Sequence, residues 1–143
     1  MQPSPDDNIG VAHGQWGEDV AVEALRRKGY LIVDRNTRPC SWNRRFEIDI
    51  VAYDKATDAM VFVEVKQHAS HAACERRMRS IDRKKLSNVR KACNAWRRGN
   101  RWYGAYRFDV IEVFGVPGCR SPEIDHIERV ALFCDRERFV MWG

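Results

Sequence analysis

Phe46-Glu-Ile-Asp49-Ile-Val-Ala-Tyr53, a turn from Asp54 to Asp58, and then Met60-Val-Phe-Val-Glu64-Val-Lys66 form the stretch that decides the fold. In its first part Phe46, Ile48, Ile50 and Ala52 alternate with Glu47, Asp49, Val51 and Tyr53, the period of two that belongs to a strand. The second part is rich in β-branched and aromatic residues. The short connection predicts an antiparallel hairpin. Glu64 and Lys66 then leave one face of their strand, roughly 7 Å apart, together with Phe62, while Val61, Val63 and Val65 point the other way.

Outward from this hairpin, Ala12 to Lys28 reads as a helix with Ala21, Val22, Ala24 and Leu25 on adjoining faces and Gly29 placed to stop it. Tyr30 to Asn36 reads as a strand, and Thr37 to Asn43, with Pro39, as a loop. Residues 68–80 are polar and read as a loop over the hairpin's end. Ile81 to Arg98 predicts a second helix closed by Gly99, followed by a strand from Tyr106 to Phe114 and a turn region from Gly115 to Ser121. A last strand is expected over Ile127 to Phe133. The order is αβββαβ with additions at the C-terminus. It is read as a loose tail over residues 1–11 and one α/β domain over 12–143, with helices flanking a mixed central sheet.

With 143 residues, 44% hydrophobic and 31% charged, the chain has the composition of a globular domain large enough to bury a core. No apolar run approaches the roughly 18 residues of a membrane span. The polar start, with Asp6 and Asp7, lacks the basic and apolar blocks of a secretion signal. Five cysteines (40, 74, 93, 119 and 134) show no C-x-x-C or Cys/His spacing, which predicts free thiols in a reducing cytoplasm and no zinc site. The net charge of +5 is unevenly spread. Arg76 to Arg101 holds eleven Lys/Arg and one acid, Asp82, a local +10 that leaves the remainder at −5. Such a segment suits a polyanion, with Arg76, Arg77, Arg79, Arg83, Lys84, Lys85, Arg90 and Lys91 as candidate nucleic-acid contacts. A solvated basic helix face is the alternative.

If the hairpin register sets Asp49 opposite Glu64, two carboxylates and the Lys66 ammonium share one patch of sheet. Close carboxylates repel, and burying them costs several kcal/mol unless a cation compensates. A divalent ion does so directly, and Mg²⁺ takes carboxylate, water and phosphate oxygens. In phosphodiester hydrolysis Lys66 would hold a water or neutralise charge growing on the phosphate. The D/E-x-K pattern alone is common, on the order of one per chain of this size. A second copy, Asp82-Arg83-Lys84, lies in the expected helix. The alternative for Glu64 and Lys66 is an exposed ion pair of little value. Glu18 shares a helical stripe with Ala21, Val22 and Leu25 and so is expected to face the sheet, or else to complement the helix dipole. His13, His68, His71 and His126 lack ligand spacing, and His68 and His71 read as surface-loop residues. Trp96 and Tyr106 are expected in the core. Trp102 and Tyr103, at the end of the basic helix, are open to base stacking or packing.

Gly14-Gln-Trp-Gly17-Glu18 opening a helix, Gly29-Tyr30 ending it, Glu47-Ile-Asp49, Phe62-Val-Glu64-Val-Lys66, a Lys-containing helix and Arg107-Phe-Asp109-Val110 together resemble the YraN family of small bacterial proteins, over about residues 12–114. The resemblance implies a restriction-endonuclease-like core of the PD-(D/E)XK superfamily, related to Holliday-junction resolvases. It implies Asp49 and Glu64 as ligands of Mg²⁺ or Mn²⁺, Lys66 as the catalytic lysine, and Glu18 as a helix glutamate brought to the same site. The family pattern has Gly where this chain has Phe46, and Thr-Arg where it has Gln67-His68. Both departures bear on substrate handling. A structural salt bridge is the expectation for Arg107 and Asp109.

Three functions follow as expectations. The first is a metal-dependent endonuclease hydrolysing DNA, branched or structured DNA included, and working as a homodimer because cutting two strands symmetrically needs two sites. The second is a nucleic-acid-binding module on a nuclease scaffold. The third is an accessory protein whose basic helix docks on a protein partner.

Overall fold

The computed structural model describes residues 5–70 and 83–132. The expected hairpin is there: β2 (Ile48–Asp54) and β3 (Ala59–His68) pair antiparallel, with Ile50 opposite Val63 and Asp54 opposite Ala59. Asp54 closes the connection. Its carboxylate accepts from the Ala56 amide at 3.1 Å and the Thr57 hydroxyl at 2.9 Å, and Asp58 takes the left-handed φ of 50° that turns the chain back. Around the hairpin stand β1 (Leu31–Thr37), β4 (Ala105–Phe114) and β5 (Glu123–Ile127), with helices α1 (Pro5–Arg27) and α2 (Arg83–Gly99). The sheet order is β1-β2-β3-β4-β5. Only the β3–β4 pair is parallel, as the crossover through α2 requires. Among the described residues this mixed five-stranded sheet with two helices is the α/β architecture expected from the sequence, consistent with a restriction-endonuclease-like core.

Strand alternation sorts the core into two halves. Ala21, Val22 and Leu25 of α1 pack with Ile50, Ala52, Val61, Val63, Ile111 and Val113. On the other half Val89, Ala92, Cys93 and Trp96 of α2 pack with Val51, Met60, Phe62, Tyr106 and Phe108. Trp96 and Tyr106 are thus core residues, as their flanking apolar pattern indicated. Cys40, Cys93 and Cys119 are free thiols, whereas Cys74 and Cys134 fall outside the described residues. Among the described residues no helix is long and apolar enough to cross a membrane.

The helix ends differ from the expectation in instructive ways. α1 begins at Pro5, earlier than the Ala12 expected, and takes in residues 5–11 of the stretch read as a tail. Pro5 with Asp6 and Asp7 behind it is a start signal: a proline tolerates the first turn, and acids there complement the dipole. At the other end Gly29, with φ 89°, donates to Arg26 O and Tyr30 donates to Leu25 O, the paired bonds of a Schellman cap. α2 stops at Gly99, but its left-handed cap is Arg101, with φ 53° and Trp102 N donating to Arg97 O at 2.9 Å. The last strand is corrected too. It runs over Glu123–Ile127, not Ile127 to Phe133, because the turn after Gly115 puts Glu123 directly opposite Phe114. Arg129 then takes a φ of 57° that breaks the ladder.

Gly115 shows how α1 is seated. Its φ is 141°, and a Cβ there would meet the Trp16 ring at 3.3 Å and Cys119 Sγ at 3.4 Å. Its amide donates to His68 O at 2.8 Å. Gly115→Ala is therefore expected to lose about 1–3 kcal/mol from backbone strain and crowding, read as a lower urea midpoint at unchanged slope. An unchanged midpoint would mean that the turn relaxes freely.

Candidate functional site

One step beyond the Ile50–Val63 pair, the same register sets Asp49 opposite Glu64. The two carboxyls lie within hydrogen-bonding reach of each other, and Asp49 Oδ2 also accepts from the Val65 amide at 2.8 Å. Burial first, then the charge of Glu64, push the Asp49 pKa up to about 8. Glu18 reaches the same place from α1, on the buried stripe of Ala21, Val22 and Leu25. Burial raises its pKa as well, against the lowering influence of Asn36 and Arg35. Its Oε2 accepts no hydrogen bond, the nearest cation being Arg35 Nη2 at 4.0 Å.

Two cavities meet at Asp49 and Glu64. One, of about 430 Å³, is lined by Gly14, Glu18, Asp49, Glu64, Gln67 and Lys85. The other, of about 330 Å³, is lined by Arg45, Glu47, Asp49, Glu64, Lys85 and Asn88. Lys85 stands in both walls because α2 carries it over the end of the hairpin, where its Nζ lies 2.8 Å from Glu64 Oε1. Burial opposes its charge, but Glu64, Asp49 and Glu47 outweigh that and raise its pKa. Glu47 could have been found from the sequence, since it alternates onto the face of Asp49. Lys85 was legible only as one of many cations.

Lys66 follows Glu64 by two residues on β3, so it shares that face. It is half-buried, in register with Glu112 of β4, and lines neither cavity. His68 is not the surface-loop residue expected. It closes β3, is buried, stacks on Phe114 and lies 3.6 Å from Glu112. His71 lies outside the described residues.

The basic segment divides by what each side chain touches. Arg76, Arg77 and Arg79 lie outside the described residues, and Arg83 and Lys84 begin α2. Lys85 turns inward to Glu64, Arg90 lines a shallow cavity with Leu86 and Leu132, and Lys91 Nζ sits 5.6 Å from the Phe46 ring. Arg97 stacks on Tyr106, 3.5 Å from the ring centroid.

The donor set fits a divalent cation. Glu18, Asp49 and Glu64 line the larger cavity and Glu47 joins Asp49 and Glu64 in the other, Asp49 and Glu64 repel, and a buried oxygen of Glu18 accepts no hydrogen bond. Among the described residues, the one group of three acidic or histidine side chains with ligand atoms within 4.8 Å of one another lies elsewhere, at Asp109, His126 and Glu128. There the protein supplies its own cations. Arg107 Nε donates to Asp109 at 3.1 Å, and Lys28 Nζ is 2.8 Å from His126 Nδ1. The expected Arg107–Asp109 salt bridge is part of this network.

A family model described as "Uncharacterised protein family UPF0102" matches residues 17–113, which include Glu18, Asp49, Glu64, Lys66 and Lys85. Among curated relatives, a "UPF0102 protein" of Herpetosiphon aurantiacus is 28% identical over 126 residues, covering 85% of this chain and 94% of that one. One from Mycobacterium avium is 35% identical over 119 residues (82% and 88%). Another from Mycobacterium tuberculosis is 34% identical over 132 residues (84% and 92%).

Proposed function

The chain belongs to UPF0102, the YraN family, and from that membership and the three-carboxylate site we propose that it is a divalent-metal-dependent endonuclease hydrolysing phosphodiester bonds in DNA. The observation that carries the reading is the convergence of Glu18, Asp49 and Glu64 on one cavity, with a buried Glu18 oxygen that accepts no hydrogen bond. Asp49 and Glu64 would hold Mg²⁺ or Mn²⁺, with Glu18 as a third oxygen donor. The ion's contribution when bound is Lewis acidity at the phosphate and a lowered pKa for water.

The chain's own groups do the rest. The Val65 amide fixes one oxygen of Asp49, so the carboxyl keeps its orientation without a second side chain. Lys85 offsets the charge of Glu64 and holds it in place. Lys66, on the same face two residues farther along β3, would supply an ammonium for charge growing on the phosphate. Cations of the 76–101 segment that are not turned inward contact phosphates along the strand, which makes binding fall steeply with salt.

The test is cleavage of labelled duplex, single-stranded and four-way-junction DNA in Mg²⁺ or Mn²⁺, wild type beside Lys66→Ala. Wild type is expected to cut, and the variant to lose about 10²–10³-fold, the cost of removing one transition-state donor. A wild-type protein that cuts none of these DNAs in either metal refutes the proposal. One observation favours a second reading, a binding module without turnover: Lys66 lines neither cavity. In that case both proteins bind and neither cuts.

A further inference from the structure

We propose that the loop between β1 and β2 is a base-stacking subsite, in which Trp42, flanked by Arg44 and Arg45, holds an unpaired DNA base beside the acidic cavities. The inference deepens the nuclease reading and rests on it for the choice of DNA. It narrows the substrate to DNA with unpaired bases near the cut.

Trp42 is 78% exposed, although a tryptophan is among the side chains that gain most from burial. The loop around it is held in one shape. Asn43 N donates to Cys40 O at 3.2 Å, so Trp42 is the third residue of a closed turn. Asn43 Oδ1 in turn accepts from Arg45 N at 3.0 Å, and Phe46 N donates to Asn43 O. Cys40 is 2% exposed and roots the turn in the protein. An aromatic ring held out on a fixed turn loses little entropy when it binds.

Position and charge say what it binds. Arg45 lines the cavity with Glu47, Asp49 and Glu64. Trp42 is three residues earlier, at most about 10 Å along the chain, or roughly three stacked nucleotides at about 3.4 Å each. Arg38, Arg44 and Arg45 make the loop cationic, and among the described residues only Arg38 of the three is ion-paired, to Glu47 at 3.5 Å. Cations beside an aromatic are the recurring arrangement for single-stranded nucleic acid: the cations follow the backbone while the ring takes a base face. In a continuous duplex both faces of each base are already stacked. Only a base without a neighbour offers one.

The experiment measures binding, so it does not depend on turnover. A 2-aminopurine-labelled single strand and the duplex of the same sequence are titrated with full-length wild type, Trp42→Ala, Trp42→Phe and Arg44→Ala/Arg45→Ala, in Ca²⁺ and in EDTA. Wild type should quench the single-strand probe on binding. Trp42→Ala should abolish the quench and weaken single-strand binding about tenfold or more, with duplex binding within about twofold. Trp42→Phe should keep most of both, and the double arginine variant should weaken both DNAs. Equal loss on the two DNAs, or none on either, overturns the subsite and leaves the nuclease proposal standing. So does a Trp42→Ala variant that binds DNA normally but changes oligomeric state, which assigns the ring to a protein contact. Wild type that binds neither DNA at low salt overturns both proposals.

Discussion

Asp49→Asn is expected to abolish metal-dependent cleavage, by at least about 10³-fold, while the variant folds at least as stably as wild type without metal at pH 8. The first half follows from the loss of a charged oxygen donor, since several kcal/mol of charge stabilisation corresponds to three or more powers of ten. The second half follows from geometry. Asparagine keeps an oxygen for the Val65 amide and removes the charge that burial and Glu64 oppose. The pH dependence has a definite sign. Asp49 titrates near 3.8 when unfolded and near 8 when folded, so folding takes up a proton between those values. The stabilising contribution of the protonated form is complete below about pH 4 and is lost as pH rises through 8. Metal-free wild type should therefore lose stability between pH 5 and 8.5, and Asp49→Asn should flatten that decline. Mn²⁺ should raise the melting temperature of wild type more at pH 8 than at pH 6, because the ion displaces the proton. Urea unfolding across this range reads the first two, and thermal unfolding with and without Mn²⁺ reads the third. A decline that survives the substitution would mean that another group causes it.

Arg107→Ala is expected to cost about 3–5 kcal/mol, a large part of the roughly 5–15 kcal/mol that holds a domain together. The guanidinium is 6% exposed and spends its donors on three elements: Asp109 Oδ1 at 3.1 Å on its own strand, Asp54 Oδ2 at 3.1 Å in the hairpin turn, and Tyr30 Oη at 2.6 Å after α1. Burial works against its charge, but Asp109 and Asp54 more than offset this and raise its pKa. Removing it leaves Asp109, fully buried, with the His126 ring and the Arg129 amide as its remaining hydrogen-bond partners among the described residues. Arg107→Lys should recover part of the loss, since one ammonium cannot fork to three acceptors. A loss under about 1 kcal/mol in urea unfolding would show that the cluster is solvated rather than buried.

The hairpin was legible because both its strands carry a period of two and its turn is short. The register of Asp49 against Glu64 stayed open at that point, and is fixed by the turn that sets Asp54 opposite Ala59. Glu18 was legible for a similar reason, lying on a stripe of Ala21, Val22 and Leu25 that had to face something apolar. The site's other wall was not. Nothing local tells Lys85 from its neighbours Arg83 and Lys84, and only the docking of α2 turns it toward Glu64. The same limit applies to Arg107. Its two-residue spacing from Asp109 suggests a pair, but Tyr30 and Asp54 join it through contacts 77 and 53 residues apart. The last strand was misplaced because Arg129 adopts a left-handed φ that no residue type announces.

The hairpin also orders events in time. Residues 55–58 are all that separate β2 from β3, whereas β3 meets β4 only after the chain has passed through α2. Closing the small loop costs little entropy and takes about 1–10 μs, while the parallel pairing waits on a much longer closure. Asp49 and Glu64 are thus neighbours before Lys85 has docked to offset them. Their repulsion acts on the rate of folding as well as on the finished protein, and the divalent ion proposed for this pair, if present during synthesis, would lower a kinetic barrier at the point where the chain is least able to supply a cation of its own.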